Sequence, residues 1–304
     1  MYRILEKQSL TENTDMMVIE AQHIAHKARA GQFIIVRKDE YSERIPLTIA
    51  DYDTQRGTIT IIFQKVGMST NQLAEMQAGD LIRNVVGPLG KFTPIEKFGR
   101  VVLVAGGVGI APVFPIARSL HEAGNHVTLI LGARSQNLLF WEEKMRSVSD
   151  ELIICTDDGS KGRKAVVTEP LRKILETNPN VARVWAIGPA IMMKFCCETT
   201  RPFKTHTVVS LDSVMVDGTG MCGACRVEVG GEIRFVCVDG PEFDGHKVNW
   251  DVVLARKKVF VSEEKQALNA WIQEHEDRHV CNLDKALLQQ EINQKTPEKS
   301  GVAS

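Results

Sequence analysis

A chain of 304 residues exceeds one compact core of ordinary size and implies about two domains with additions. Its 43% hydrophobic and 25% charged residues describe a globular protein, and a formal net charge of −1 leaves no global field to hold nucleic acid or an anionic membrane. The start, Met1-Tyr-Arg-Ile-Leu-Glu-Lys, lacks the apolar stretch of a signal peptide, and the uncharged run from Val101 to Ala117 is too short and too rich in Gly and Pro for a membrane span. No nucleic-acid or membrane partner is expected. Cys155, Cys196, Cys197 and Cys281 show no disulfide-like spacing, which fits a reducing, cytoplasmic location.

Residues 1–97 carry short apolar or alternating runs, Asp15–Glu20, Gln32–Val36 and Thr58–Phe63, between turn residues. That spacing predicts a small antiparallel β-barrel, interrupted by one helix over Ser69–Met76. Over 98–203 the rhythm changes. Strand-like runs at Val101–Ala105, His126–Leu131, Glu151–Cys155 and Arg183–Ile187 alternate with helical stretches near 112–123, 136–147, 166–176 and 189–198. Such alternation predicts a doubly wound parallel α/β sheet. Residues 204–251 are Gly-rich and hold three cysteines, and 252–304 read as a helical extension. There Ser262 serves as N-cap with Glu263 and Glu264 in the first turn, and the tail from Asn293 to Ser304 is frayed.

The first strand of the α/β region runs into Gly106-Gly107-Val108-Gly109-Ile110-Ala111-Pro112. A Gly-rich strand-to-helix turn lets backbone N–H groups and the helix dipole face a pyrophosphate, and a Pro in the first helical turn loses no hydrogen bond. Alone, such a turn is often only tight packing. At the first strand of a doubly wound pattern it points to a dinucleotide. Two further strand ends fall on the same rim, Gly132-Ala133-Arg134-Ser135 and Gly188-Pro189. Arg134 suits an adenosine 2′-phosphate or the adenine face, with a solvated loop arginine as the plain alternative.

Between these regions and the tail stands Asp217-Gly-Thr-Gly-Met-Cys222-Gly-Ala-Cys225, with Cys237 twelve positions on. The x4 and x2 gaps are those of a plant-type [2Fe–2S] loop, with Asp217 in the slot of the first thiolate. Gly218, Gly220 and Gly223 let backbone N–H groups approach cluster sulfurs. Three thiolates and a carboxylate also satisfy tetrahedral zinc, although a structural zinc site more usually shows two paired halves and only one is present.

A barrel, a Gly-Gly-x-Gly-x-Ala-Pro nucleotide domain and a short cysteine segment together resemble the ferredoxin–NADP reductase superfamily. Within it the chain is similar to the branch of the dihydroorotate dehydrogenase B electron-transfer subunit. It is more similar still to the small subunits of NADH-dependent ferredoxin:NADP⁺ oxidoreductase, also known as sulfide dehydrogenase β subunits. Gly87-Pro-Leu-Gly90, Gly188-Pro-Ala-Ile-Met-Met193, Cys237-Val-Asp-Gly-Pro-Glu-Phe-Asp244 and the Asp in the first ligand slot carry that likeness. It covers roughly residues 1–275.

The resemblance implies FAD on the barrel. The family's Arg-x-Tyr-Ser/Thr strand corresponds to Arg44-Ile45-Pro46-Leu47-Thr48, with Arg44 one position farther from the Thr than in the common form. A second contact matches Gly67-Met68-Ser69-Thr70, and Pro46, Leu47 and Gln64 complete the flavin set. It also implies a [2Fe–2S] cluster on Asp217, Cys222, Cys225 and Cys237, with NAD(H) or NADP(H) as substrate. A nicotinamide exchanges hydride only and a cluster single electrons, so the flavin stands between them and no acid–base residue is required. The expected partner is a larger subunit resembling the small subunit of glutamate synthase, with its own flavin and [4Fe–4S] clusters, through which ferredoxin is reached, in a heterodimer able to bifurcate electrons. Two other readings are a dihydroorotate dehydrogenase B electron-transfer subunit, against which Asp217 speaks, and a non-enzymatic flavin and iron–sulfur redox sensor.

Overall fold

The computed structural model describes residues 1–275; Cys281 and the tail from Asn293 lie outside the described residues. Residues 1–259 form one compact unit, and a second begins at Phe260.

The first part contains β1 (Tyr2–Thr11), β2 (Thr14–Glu20), a one-turn α1 (Gln22–Ala25), β3 (Phe33–Arg37), β4 (Ile45–Thr48), β5 (Asp51–Asp53), β6 (Thr58–Gln64), α2 (Met68–Ala74), β7 (Leu81–Ile82) and β8 (Asn84–Leu89). Two antiparallel sheets, ordered β5-β6-β2-β1-β7 and β4-β3-β8, make the expected barrel. β6 reads Thr-Ile-Thr-Ile-Ile-Phe-Gln, a β-branched run that suits a pleated, half-buried surface. Its Ile59, Ile61 and Phe63 meet Ile4, Ile19 and Ile34 in the barrel core.

The second part contains β9 (Arg100–Gly106), α3 (Ile110–Glu122), β10 (His126–Ala133), α4 (Glu142–Arg146), β11 (Glu151–Thr156), β12 (Arg163–Lys164), α5 (Thr168–Thr177), β13 (Val181–Ile187), α6 (Ala190–Thr200) and β14 (His206–Ser210). These strands are parallel in the order β12-β11-β10-β9-β13-β14. Strand alternation divides β9 between two cores. Val101, Leu103 and Ala105 pack with α3 and α4, while Val102 and Val104 pack with α5 and α6. Both faces are therefore covered, which is why β9 reads as an unbroken apolar run. The strand order reverses at β9, and the crevice beyond the carboxyl ends opens there.

Two local expectations change. The helix anticipated over 136–147 is a 3₁₀ turn at Gln136–Leu138 followed by the short α4. Trp141 adopts a left-handed φ of 57° between them and stacks edge-on against Phe114 at 5.3 Å, so aromatic burial overrides helix continuity. The C-terminal helix runs over 261–275, so Ser262 lies inside it and its hydroxyl donates to Glu263 at 2.6 Å.

The cysteine segment adds β15 (Arg226–Val229), β16 (Glu232–Phe235), a one-turn α7 (Val236–Asp239), β17 (Glu242–Asp244) and α8 (Trp250–Arg256). β17 pairs antiparallel with β14 and so extends the nucleotide-domain sheet to seven strands. The division at residue 204 cuts before β14, although β14 is hydrogen-bonded into that same sheet. Across the barrel boundary, Asp51 accepts from Arg118 of α3 at 2.7 Å and from Lys144 of α4 at 3.1 Å. These contacts fix the barrel against the parallel sheet. No helix among the described residues is long and apolar enough to cross a membrane.

Candidate functional site

A cleft of about 990 Å³ lies at the carboxyl rim of the parallel strands, at the upper end of the range for small-molecule pockets. All three segments line it. From the barrel come Pro46, Leu47 and Thr48 of β4, Gln64 at the end of β6 and Thr70 of α2. From the sheet come Gly106, Gly107, Gly109, Ala111, Pro112, Arg134, Gly188 and Pro189. Leu211, Met215 and Pro241 of the cysteine segment close it.

The Gly-rich turn behaves as its sequence requires. Gly107 has φ 55°, a conformation that costs an L-residue energy, and a Cβ built there would meet nothing within 4 Å. The backbone thus borders open cleft, and the thirteen-residue α3 begins directly behind it. Free N–H groups and the positive end of that helix's dipole face the space where an anion would sit.

Four expected residues do not line the cleft. Gly67 caps α2, and its N–H donates to the Thr70 hydroxyl at 3.1 Å. Ser69 donates to Glu43 at 2.6 Å, and Ser135 bonds the Asn137 side chain. Arg44, expected at a flavin pyrophosphate, turns toward the cysteine loop instead. Its Nε donates to the Val216 carbonyl at 2.7 Å and its Nη2 to that of Asp217 at 3.2 Å. Sequence reasoning missed Asp157, Val166, Ile191, Phe195 and Met215, all in the cleft wall. Apolar residues after strand ends read as core, yet Val166, Ile191 and Phe195 are about half exposed. Such surfaces suit planar rings.

In the cysteine segment, Cys225 and Cys237 of α7 are buried with their sulfurs 3.2 Å apart, whereas Cys222 is exposed. Burial, aided by the neighbouring Cys225, pushes the Cys237 thiol up to about 12. The Cys237 thiol therefore stays neutral at ordinary pH unless a cation takes its proton's place. The Cys237 N–H also donates to the Cys225 sulfur at 3.5 Å. Asp217 accepts from the Thr219 and Cys222 amides, each at 2.9 Å, and the Thr219 bond leads in holding its carboxyl below the usual range. Among the described residues no three His, Cys, Asp or Glu side chains stand as a ready-made metal site. Of the expected four, two converge and two share the same short loop. A close thiol pair, a directed N–H and a third thiol within the loop fit a thiolate-held cluster.

Glu242, on β17 beyond Cys237, accepts from Thr93 of the barrel at 2.7 Å. Burial pushes its carboxyl up to about 7 from an ordinary value of 4.5, partly offset by the Thr93 hydroxyl and by Arg183. The folded state then holds a proton that the unfolded state has lost, so stability is full below about pH 4.5 and falls as pH rises to about 7. We expect Glu242→Gln to remove that part of the decline and to be the more stable protein near pH 8, by at most about 3 kcal/mol. Urea denaturation near pH 5 and near pH 8 checks it. A variant less stable at the higher pH contradicts the assignment.

Comparison with known proteins accords with this architecture. Residues 103–198 match the oxidoreductase NAD-binding domain, and residues 212–249 match the iron–sulfur cluster binding domain of dihydroorotate dehydrogenase B. The molecule is thus an NAD-binding oxidoreductase with an iron–sulfur cluster domain. A dihydroorotate dehydrogenase B (NAD⁺) electron-transfer subunit homolog of Thermotoga maritima is 46% identical over 86% of this chain and 92% of its own. An uncharacterized protein from the adh 3′ region of Clostridium beijerinckii is 48% identical over 88% and 93%. The solved structure of an NADH-dependent reduced ferredoxin–NADP oxidoreductase, studied for flavin-based electron bifurcation, superposes with a TM-score of 0.85 at 43% identity, covering 90% of this chain and 98% of that one. The chain belongs to the family of dihydroorotate dehydrogenase B electron-transfer subunits and their homologues, within the ferredoxin–NADP reductase superfamily.

Proposed function

We propose that this chain is the small subunit of a heterodimeric ferredoxin:NAD(P) oxidoreductase, passing electrons between pyridine nucleotide, FAD and a [2Fe–2S] cluster. The observation that carries the reading is the single cleft walled by barrel, parallel sheet and cysteine segment together. A flavin bound there can exchange hydride with a nicotinamide and single electrons with a cluster. The barrel of residues 1–97 would hold FAD, with Thr48 beside the ring and Thr70 toward its pyrophosphate. The domain of 98–203 would hold the nucleotide against Gly106, Gly107 and Gly109, and the segment of 204–251 the cluster. Apolar walls keep water from the meeting point. The large partner is expected to carry its own flavin and [4Fe–4S] clusters and to reach ferredoxin.

Co-purification from the native cell tests this assignment. A glutamate-synthase-like flavin and [4Fe–4S] polypeptide is the expected companion. A dihydroorotate dehydrogenase partner would establish instead the second reading, which the match over residues 212–249 favours. Slow or absent reduction by either pyridine nucleotide would make the chain a redox sensor.

Asp217 is proposed as the fourth cluster ligand, since it occupies the first slot of the spacing and its carboxylate already turns onto the Cys222 amide. Asp217→Cys is expected to keep a [2Fe–2S] centre, change its EPR g-values and make it harder to reduce, because thiolate donates more electron density to ferric iron. Asp217→Ala should leave a labile cluster. Unchanged spectra and potential in both variants would reduce Asp217 to the turn residue its hydrogen bonds describe.

A further inference from the structure

Arg44 stands just before β4, the strand whose Pro46, Leu47 and Thr48 line the cleft, yet it is not part of the cleft wall. Its two bonds go to carbonyls of successive loop residues, Val216 and Asp217. Among the described residues it makes no ion pair, and its guanidinium lies directly beside the loop. The neighbouring Gly218 rests on the same small sheet. At φ 76°, a Cβ there would come 2.9 Å from Leu89 of β8 and 3.0 Å from Ile35 of β3. Ile35 in turn pairs with Pro46 of β4. The three-stranded sheet β4-β3-β8 therefore meets the cleft through Phe33, Pro46, Leu47 and Thr48, and the cysteine loop through Arg44, Ile35 and Leu89.

We propose that Arg44 is a positioning residue for the cluster, fixing the Asp217 end of the loop to the flavin-side strand and raising the cluster's reduction potential, and that it does not hold a flavin pyrophosphate. The inference rests on the reading of Asp217, Cys222, Cys225 and Cys237 as cluster ligands. A planar guanidinium with fixed donors suits two adjacent carbonyls better than an ammonium does. Adding an electron to the cluster adds negative charge, and a nearby cation stabilises that reduced form. Latching the loop also shields the cluster from loss.

The test uses the purified full chain with its cofactors, as the parent, Arg44→Gln and Arg44→Lys. It reads FAD, iron and acid-labile sulfide per chain, the EPR-monitored midpoint potential, and the rate of iron loss to a chelator. Arg44→Gln is expected to keep the parent's FAD content, lower the potential and lose iron several-fold faster. Arg44→Lys should recover much of the potential but not the retention. Loss of FAD in Arg44→Gln with an unchanged potential would make Arg44 a pyrophosphate ligand and overturn the proposal. An Arg44→Gln chain equal to the parent in every readout overturns it as well. A parent chain without iron and sulfide removes the cluster reading and this proposal with it, whereas a cluster-bearing parent with an indifferent Arg44→Gln removes the proposal alone.

Discussion

Replacing Cys225 or Cys237 by Ala is expected to abolish the iron–sulfur centre while leaving the flavin bound. Both sulfurs are buried and lie 3.2 Å apart, and the remaining loop thiol, Cys222, already fills a ligand slot of its own, so neither has a substitute. Removing an outer-shell partner typically costs about 10–100-fold in metal affinity, and losing a ligand itself should exceed about 100-fold. Electron delivery to a one-electron protein acceptor should fall by a comparable factor, while reduction of the flavin by pyridine nucleotide persists. The barrel walls of the cleft, Pro46 to Thr48 and Gln64, are untouched by either change. Measuring iron, sulfide and FAD per chain beside acceptor kinetics checks this. Retention of sulfide-bearing iron in both variants would place the cluster elsewhere.

Gly107→Val should act on the other side of the relay. The added branches project into open cleft, where a pyrophosphate needs the backbone within hydrogen-bond reach. We expect KM for pyridine nucleotide to rise by about 10-fold or more, equivalent to at least about 1.4 kcal/mol of lost binding. A β-branched residue held at φ 55° also strains the turn by roughly 1–3 kcal/mol, so the melting temperature should fall. FAD content should not change. Unaltered KM with a lowered melting temperature would make the turn a packing feature only.

Much of this was legible before the fold. The apolar runs of β9, β10 and β13 are buried on both faces, and their continuity announces a parallel sheet. Gly106 to Gly109 stands out because only glycine meets the turn's demands there. The cysteine spacing speaks for itself. What escaped depends on contacts between distant segments. That β17 joins the nucleotide-domain sheet follows from a pairing of Ser210 with Glu242, which local pattern cannot reveal. Arg44 and the carbonyls it bonds lie more than 170 positions apart. Phe195 and Ile191 look like the core face of a helix but border the cleft, because only tertiary packing decides which apolar side chains remain uncovered.

On the function proposed above, one chain joins pyridine nucleotide, flavin and cluster into a single electron path. Anaerobic titration of the purified chain with NADH and with NADPH, followed by optical and EPR spectroscopy alongside iron and sulfide analysis, tests it most directly. About one FAD and one [2Fe–2S] cluster per chain are expected, with flavin bleaching by at least one of the nucleotides and a reduced-cluster EPR signal that grows with it. Zinc without acid-labile sulfide, or a flavin that bleaches while no cluster signal appears, would contradict it.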